Sequence, residues 1–565
     1  MPVRYNSQQE SALKTLYKSM IFSVLMGPIS LLAAAETILH NITGYSSSTE
    51  GIRGFDVLVF NDAGRIVASG DTTLMDDYPD AQRIDGDGKY VLPGLTDAHA
   101  HVYGLGFLQA SLNLAGTPSV EDAVQRIGEY RTQNPHAKWI LGRGWNQVLW
   151  PIDAFPSAAD IDAVVSDRPV WLRRIDGHAG WANSAAIQLA GIDDDTPDPG
   201  GGKIIRDHNG HATGILVDKA MGLMQSQIPA PGKDDIRAAH QKAIDLLVAL
   251  GMTSVHDAGV DIVEAEVYMS EANDGELDMR IYAMLAGAGE NLDAIGQPLR
   301  AYGKDHLDIT AIKIYADGAL GSRGAAMTAP YSDDDENRGL PFWTQDQLNE
   351  FVQKANDKGF QVGIHAIGDL GNRMALDAFA KAQANKTSSL RNRVEHAQII
   401  ALDDIPRFAD LGVIASMQPV HATSDMNMAE DRIGPNRIKG GYAWRRLLDA
   451  GAVIASGSDF PVELPNPFLG LYAAVTRQDS SGHPDGGWYG DQRLSRAEAL
   501  HSFTLGAAFA AHQEDRMGSL EPGKWADFII VDRDYFEIPA ALIDDIKVLQ
   551  TWVGGTLVYD SDTVE

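Results

Sequence analysis

The chain contains no cysteine. Disulfides, thiol nucleophiles, Cys-ligated zinc and lipoprotein acylation are therefore excluded. Any metal must be held by histidine, carboxylate or a modified lysine. Basic residues are also scarce, with 46 Lys and Arg against 77 Asp and Glu for a net charge of -31. Charge of that sign repels nucleic-acid phosphates and anionic lipid surfaces, so neither is expected as a partner. The acidic runs Asp193-Asp194-Asp195 and Asp333-Asp334-Asp335-Glu336 lack the spaced ligands and glycine of an EF-hand loop and read as solvated loops. No Gly-rich phosphate loop follows a strand-like run, and neither G-x-x-x-x-G-K-[ST] nor G-x-S-x-G occurs. A nucleotide enzyme and a serine hydrolase are accordingly not expected. Internal repeats and low-complexity tracts are missing too.

What is present is long and ordinary in composition: 565 residues, 44% hydrophobic, enough to bury a large core. In residues 1–35, Arg4, Lys14 and Lys18 precede an apolar stretch from Met20 to Leu32, and Ala33-Ala34-Ala35 offers an A-x-A cleavage site. This predicts a signal peptide and a periplasmic or secreted protein, with no stable membrane association after cleavage. Residues 36–90 and 515–565 carry short β-like runs at both ends of the chain, which predicts one composite β-sandwich domain. Between them, in 91–514, strand-like runs alternate with helix-like segments. Eight runs, at 91–98, 253–257, 279–285, 309–315, 361–367, 393–397, 413–418 and 453–458, predict an α/β fold, a (β/α)8 TIM barrel. Residues 117–230, rich in tryptophan, are too long for one βα connection and predict a lobe inserted after the first barrel strand, over the active site.

The histidine pair His99-Ala100-His101 closes the first of these runs. Side chains at i and i+2 of a strand point to one face, so both imidazoles can grip one metal ion. Four later runs end in further metal-competent residues, Lys313, His365, His396 and Asp459. In a parallel barrel all these ends meet at one rim. A charged lysine buried there is costly; reaction with carbon dioxide would convert Lys313 to an anionic carbamate able to bridge two divalent ions. Zinc suits such a His-rich set first, with manganese, iron and cobalt as alternatives.

The stretches Val91-Leu92-Pro93-Gly94-Leu95-Thr96-Asp97-Ala98-His99-Ala100-His101, His365-Ala366-Ile367-Gly368-Asp369, Glu395-His396-Ala397, Gly457-Ser458-Asp459 and the C-terminal Gly518 to Asp527 resemble the amidohydrolase superfamily. Gly142-Arg143-Gly144-Trp145, Asp176-Gly177-His178, Asn183-Ser184 and Asp317 to Arg323 make the chain most similar to the branch that includes N-substituted formamide deformylases. The resemblance spans roughly residues 37–560 and is far more specific for fold and metal site than for substrate. It implies two metal ions: His99, His101 and Asp459 on the more buried one, His365 and His396 on the outer one, and carboxylated Lys313 between them.

From this follows an expected hydrolase that cleaves a non-peptide amide, N-acyl or N-formyl bond of a small molecule with a metal-activated hydroxide. Asp459 would take the proton of the attacking water and pass it to the leaving nitrogen. His178 is a candidate catalytic contact to the substrate or its oxyanion; Trp145, His256, Arg323 and His421 are candidate substrate-binding residues. All but His421 have a plainer structural reading: a satisfied loop histidine for His178, a packed tryptophan for Trp145, support behind the metal ligands for His256, a loop-fixing salt bridge for Arg323. The alternatives are an esterase, lactonase or phosphotriesterase using the same cage, or a binding protein on a retired barrel. A homodimer stays open.

Overall fold

The computed structural model describes residues 35–48, 50–151, 154–175, 177–287, 296–383, 389–563. The expected signal peptide falls on residues 1–35, almost entirely outside the described ones. Among the described residues no helix is long and apolar enough to cross a membrane.

Eight parallel strands form the centre, and we number them in chain order: β1 Leu95–Ala100, β2 Met252–Val260, β3 Arg280–Ala286, β4 Leu307–Tyr315, β5 Gln361–Ala366, β6 Arg393–His396, β7 Ile414–Met417 and β8 Ile454–Ser456. Each pairs with the next in sequence, from β1 through to β8. Seven of the expected runs are barrel strands displaced at their ends by a few residues; the first, 91–98, is split, with residues 91–93 completing a strand of the terminal sheet and the barrel strand starting at Leu95. The strands are near-continuous apolar stretches because helices cover them outside. One such helix, Gln345–Asp357, shows why: Thr344 and Gln347 form a capping box, and Leu348, Val352 and Ala355 recur on one buried face.

Closure between β8 and β1 uses the backbone just past β8. Asp459 N donates to His99 O (2.8 Å) and His101 N donates to Phe460 O (2.9 Å). Gly457 permits this approach, since a Cβ there would lie 2.4 Å from Asp97 Oδ1 and 2.6 Å from His99 N. The seam that seals the barrel therefore also brings Asp459 beside the histidine pair.

Strands from both chain ends build a second sheet. Thr556–Asp560, Val548–Val553, Phe528–Val531, Gln82–Pro93, Glu36–Ser48, Val57–Asn61 and Ile66–Gly70 follow one another across it, and Gly51–Phe55 pairs with Glu36–Ser48. Phe60 and Phe528 sit three strands apart, about 14 Å along a flat sheet, yet their ring centroids are 5.7 Å apart. The sheet therefore curls over its own core of Leu58, Phe60, Val91, Phe528 and Trp552, which gives the layered packing of a sandwich. A third, six-stranded sheet follows β1, running from Leu112–Asn113 to Ala212–Asp218 with two apolar clusters of its own.

Candidate metal centre

His99, on β1, is buried with both ring nitrogens engaged: Nδ1 lies 2.6 Å from Glu395 Oε2, and Nε2 faces Lys313 Nζ at 3.3 Å and Asp459 Oδ1 at 3.6 Å. His101 Nε2 is 3.1 Å from the same Asp459 oxygen. From β6, His396 places its ring centroid 4.7 Å from that of His99 and 4.5 Å from that of His365, which closes β5. All six residues expected to share ions thus converge at one rim. His99, His396 and Asp459 alone offer ligand atoms within 4.8 Å of one another. Two of the contributors hold left-handed backbone, His396 at φ 72° and Asp459 at φ 62°. Such conformations are costly for residues with a Cβ, and are retained where the surrounding fold over-determines them.

The electrostatics suit a cation. Burial, with the Lys313 charge beside it, lowers His99 to about 4 and His365 to about 3; burial and the neighbouring imidazoles push His396 well below its ordinary value. All three are neutral near pH 7, the state in which imidazole binds a metal. Burial brings the Lys313 amine down to about 8. For Asp459, burial favours the neutral acid, but the His101 hydrogen bond and nearby imidazoles outweigh it and hold the carboxyl at about 2. His365 Nε2 and His421 Nε2 are buried without a hydrogen-bond partner. Buried polar atoms left unpaired are expensive; His421 Nε2 lies 3.8 Å from Asp459 Oδ2, and His365 Nε2 faces Asp317 Oδ1 at 3.8 Å. The neutral imidazoles of His99 and His396 beside the anionic Asp459 carboxylate form a donor set that suits a divalent cation.

The supporting layer is richer than the sequence reading anticipated. Glu395 was quoted there only as a neighbour of His396. It is fully buried, lies 2.8 Å from Arg393 Nε, and accepts from Arg393 Nη2 at 3.2 Å. Arg393 Nη2 also donates to Ala98 O (2.6 Å) and Ser416 Oγ (2.8 Å). Burial opposes the Glu395 charge, but Arg393 and His99 hold its carboxyl far below the usual range. Glu395 therefore fixes His99 with Nδ1 protonated and Nε2 free for a metal. Gly363 makes room for it: a Cβ there would meet Met284 Cε at 2.3 Å and Glu395 Oε1 at 2.7 Å. Gln418 plays the same part for His396, with Oε1 2.8 Å from Nδ1. Asp97 accepts from the backbone of His99 (3.0 Å) and from Ser458 Oγ (2.6 Å), tying the start of the histidine pair to the β8 loop. An acidic residue adjacent to a ligand, or two residues from one, was the available signal for Glu395 and Asp97; Gln418 is distant from His396 in sequence and had none.

The remaining expected site residues divide. His421 is nearly buried, with Nε2 3.8 Å from Asp459 Oδ2 and Nδ1 held by Gln398 at 3.2 Å, so it stands at the site. His256 does not line a cavity. It is fully buried, its Nδ1 accepts from Arg393 Nη1 at 2.9 Å, and it serves the layer beneath the cage. Trp145 does not reach a substrate either: it is fully buried in the inserted lobe against Trp150, Trp181 and Phe155, and its Nε1 donates to Leu172 O. Arg323 pairs with Asp333, with Nε 3.0 Å and Nη2 2.8 Å from the two carboxylate oxygens, an ion pair that fixes a loop. His178 is largely exposed on the lobe, and the partner described for it is Asp218 at 2.9 Å rather than a cage residue.

The chain matches the amidohydrolase family over residues 82–559. It is 33% identical over 512 residues to protein LONG AFTER FAR-RED 3 of Arabidopsis thaliana, covering 88% of this chain and 87% of that protein. It is 28% identical over 503 residues to the N-substituted formamide deformylase of Arthrobacter pascens, covering 85% and 90%. Among solved structures, an uncharacterised metal-dependent hydrolase from Pyrococcus furiosus superposes with a TM-score of 0.75 at 28% identity, covering 89% of this chain and all of that one. With the family match spanning barrel, inserted lobe and half of the terminal sheet's strands, and the histidine–aspartate cage at the rim, the chain belongs to the amidohydrolase family of metal-dependent hydrolases.

Proposed function

We propose that this hydrolase cleaves a carbon–nitrogen bond of a small molecule, a non-peptide amide of N-acyl or N-formyl type, using two divalent cations. His99, His101, His365, His396 and Asp459 would hold them, with zinc the best chemical match and Lys313 carboxylated between them. The observation that carries this reading is the placement of Lys313: buried on β4, its Nζ 3.3 Å from His99 Nε2, among neutral imidazoles and with no carboxylate partner described. Burial disfavours an ammonium there, and between two cations an anionic bridging group would be favoured in its place. The choice of a carbon–nitrogen bond draws on the likeness to the deformylase.

When bound, such cations supply a water acidified toward neutrality and a Lewis acid for a carbonyl oxygen. The chain's own groups do the rest. Asp459, anionic near pH 7, takes the proton from the attacking water and delivers it to the leaving nitrogen, which must be protonated to depart as an amine. Glu395 and Gln418 keep His99 and His396 in one tautomer. His421 Nε2 lies 3.8 Å from Asp459 Oδ2, next to the group that carries the proton.

A panel of N-formyl and N-acyl amines, esters and phosphotriesters, assayed with added zinc or manganese, tests the proposal. Turnover highest on the amides is expected. Turnover confined to esters or phosphotriesters would overturn the choice of bond.

A further inference from the structure

Tyr315 ends β4 two residues after Lys313, so strand alternation turns both toward the barrel mouth. Its ring centroid lies 4.5 Å from Lys313 Nζ and 5.1 Å from the His365 ring. The backbone is pinned: Trp343 Nε1 donates to Tyr315 O (2.8 Å), and Ala316 N donates to His365 O (2.8 Å). Yet the residue is 42% exposed, and its hydroxyl has no hydrogen-bond partner among the described residues. The floor of the site is closed by Arg393 and Glu395, both fully buried, so a substrate must enter from the open side, where Tyr315 stands.

The other exposed or uncommitted groups at the rim gather around Asp459. His101 Nε2 is 3.1 Å from one of its oxygens and His421 Nε2 is 3.8 Å from the other. Tyr315 occupies the opposite side, on β4 against β5. A carbonyl placed between the two sides presents its carbon to water at Asp459 and its oxygen toward β4 and β5. We propose that the Tyr315 hydroxyl donates a hydrogen bond to the scissile carbonyl oxygen and strengthens it as negative charge develops there. No proton is transferred; the phenol stays neutral throughout. This rests on the metal-hydrolase reading above and adds a substrate contact to it.

Tyr315→Phe removes only the hydroxyl, leaving the ring against Lys313 and His365. A single oxyanion donor contributes on the order of 10²–10³ in turnover, so kcat on the best amide should fall by about 10²-fold with KM, zinc content and Tm near wild type. Acetohydroxamate, which presents a carbonyl oxygen to a metal centre, supplies a readout independent of turnover. Titrated calorimetrically into zinc-loaded protein, it should bind Tyr315→Phe at least about tenfold more weakly than wild type. Equal affinity for the two proteins would overturn the role of Tyr315 alone. Failure of zinc-loaded wild type to bind it would overturn the metal-hydrolase reading, and this inference with it.

Discussion

Asp459 illustrates how much one side chain is asked to do at the residue scale. Its carboxylate meets His101, His99 and His421 from three directions, and it is the only carboxylate among the six residues of the cage. Asp459→Asn keeps the volume and removes the proton acceptor. Turnover should fall by roughly 10²–10⁴-fold, the usual worth of a positioned acid–base group, while thermal denaturation shows an intact fold. Turnover like wild type would remove Asp459 from the proton path. Glu395 tests the layer behind. Glu395→Gln leaves His99 Nδ1 a weaker acceptor and strips Arg393 of its counter-charge. Metal affinity, read by competition against a chelator, should drop about 10–100-fold; unchanged affinity would mean that Glu395 serves only the Arg393 charge.

The eight barrel strands and the six cage residues were legible at the scale of elements, because both rest on strict rules: alternation along a strand, and the meeting of parallel strand ends at one rim. Orientation in the inserted lobe was not legible. Trp145 ends a lobe strand that pairs parallel with both neighbours, and His178 precedes an antiparallel one. These strands belong to a sheet separate from the barrel, so the rule of the barrel rim does not apply to them, and Trp145 went to the lobe's own core and His178 to Asp218. Glu395 and Asp97 were hidden for a different reason: a carboxylate beside a ligand has the same sequence signature whether it orients the ligand or caps a turn. Gln418 reaches His396 only through the fold, across neighbouring strand ends. The β8–β1 seam is the element on which the site depends. Gly457→Ala would force a Cβ against Asp97 Oδ1 and His99 N, costing about 1–3 kcal/mol as an overpacking change and moving Asp459 away from His101. Urea denaturation and metal titration should both register it. Gly222→Ala, inside a helix where nothing lies within 4 Å of the new Cβ, should leave metal titration unchanged and stability equal or slightly raised. Equal behaviour of the two variants would dissociate the seam from the site.

The acidic excess governs behaviour at the scale of the whole molecule. A net charge of -31 repels itself across the surface, and salt screens that repulsion. The melting temperature should rise from low to physiological ionic strength; a fall would mean that specific surface ion pairs outweigh the general repulsion. Binding at the cage acts on the same global equilibrium, since a cation held only by the folded chain stabilises it by about 2.7 kcal/mol at a free concentration one hundred times Kd. The most direct test of the account is the number of ions held. Elemental analysis of the purified protein, equilibrated with zinc and freed of excess, should give two zinc ions per chain. One ion would contradict the bridged pair, and none would contradict the metal centre itself.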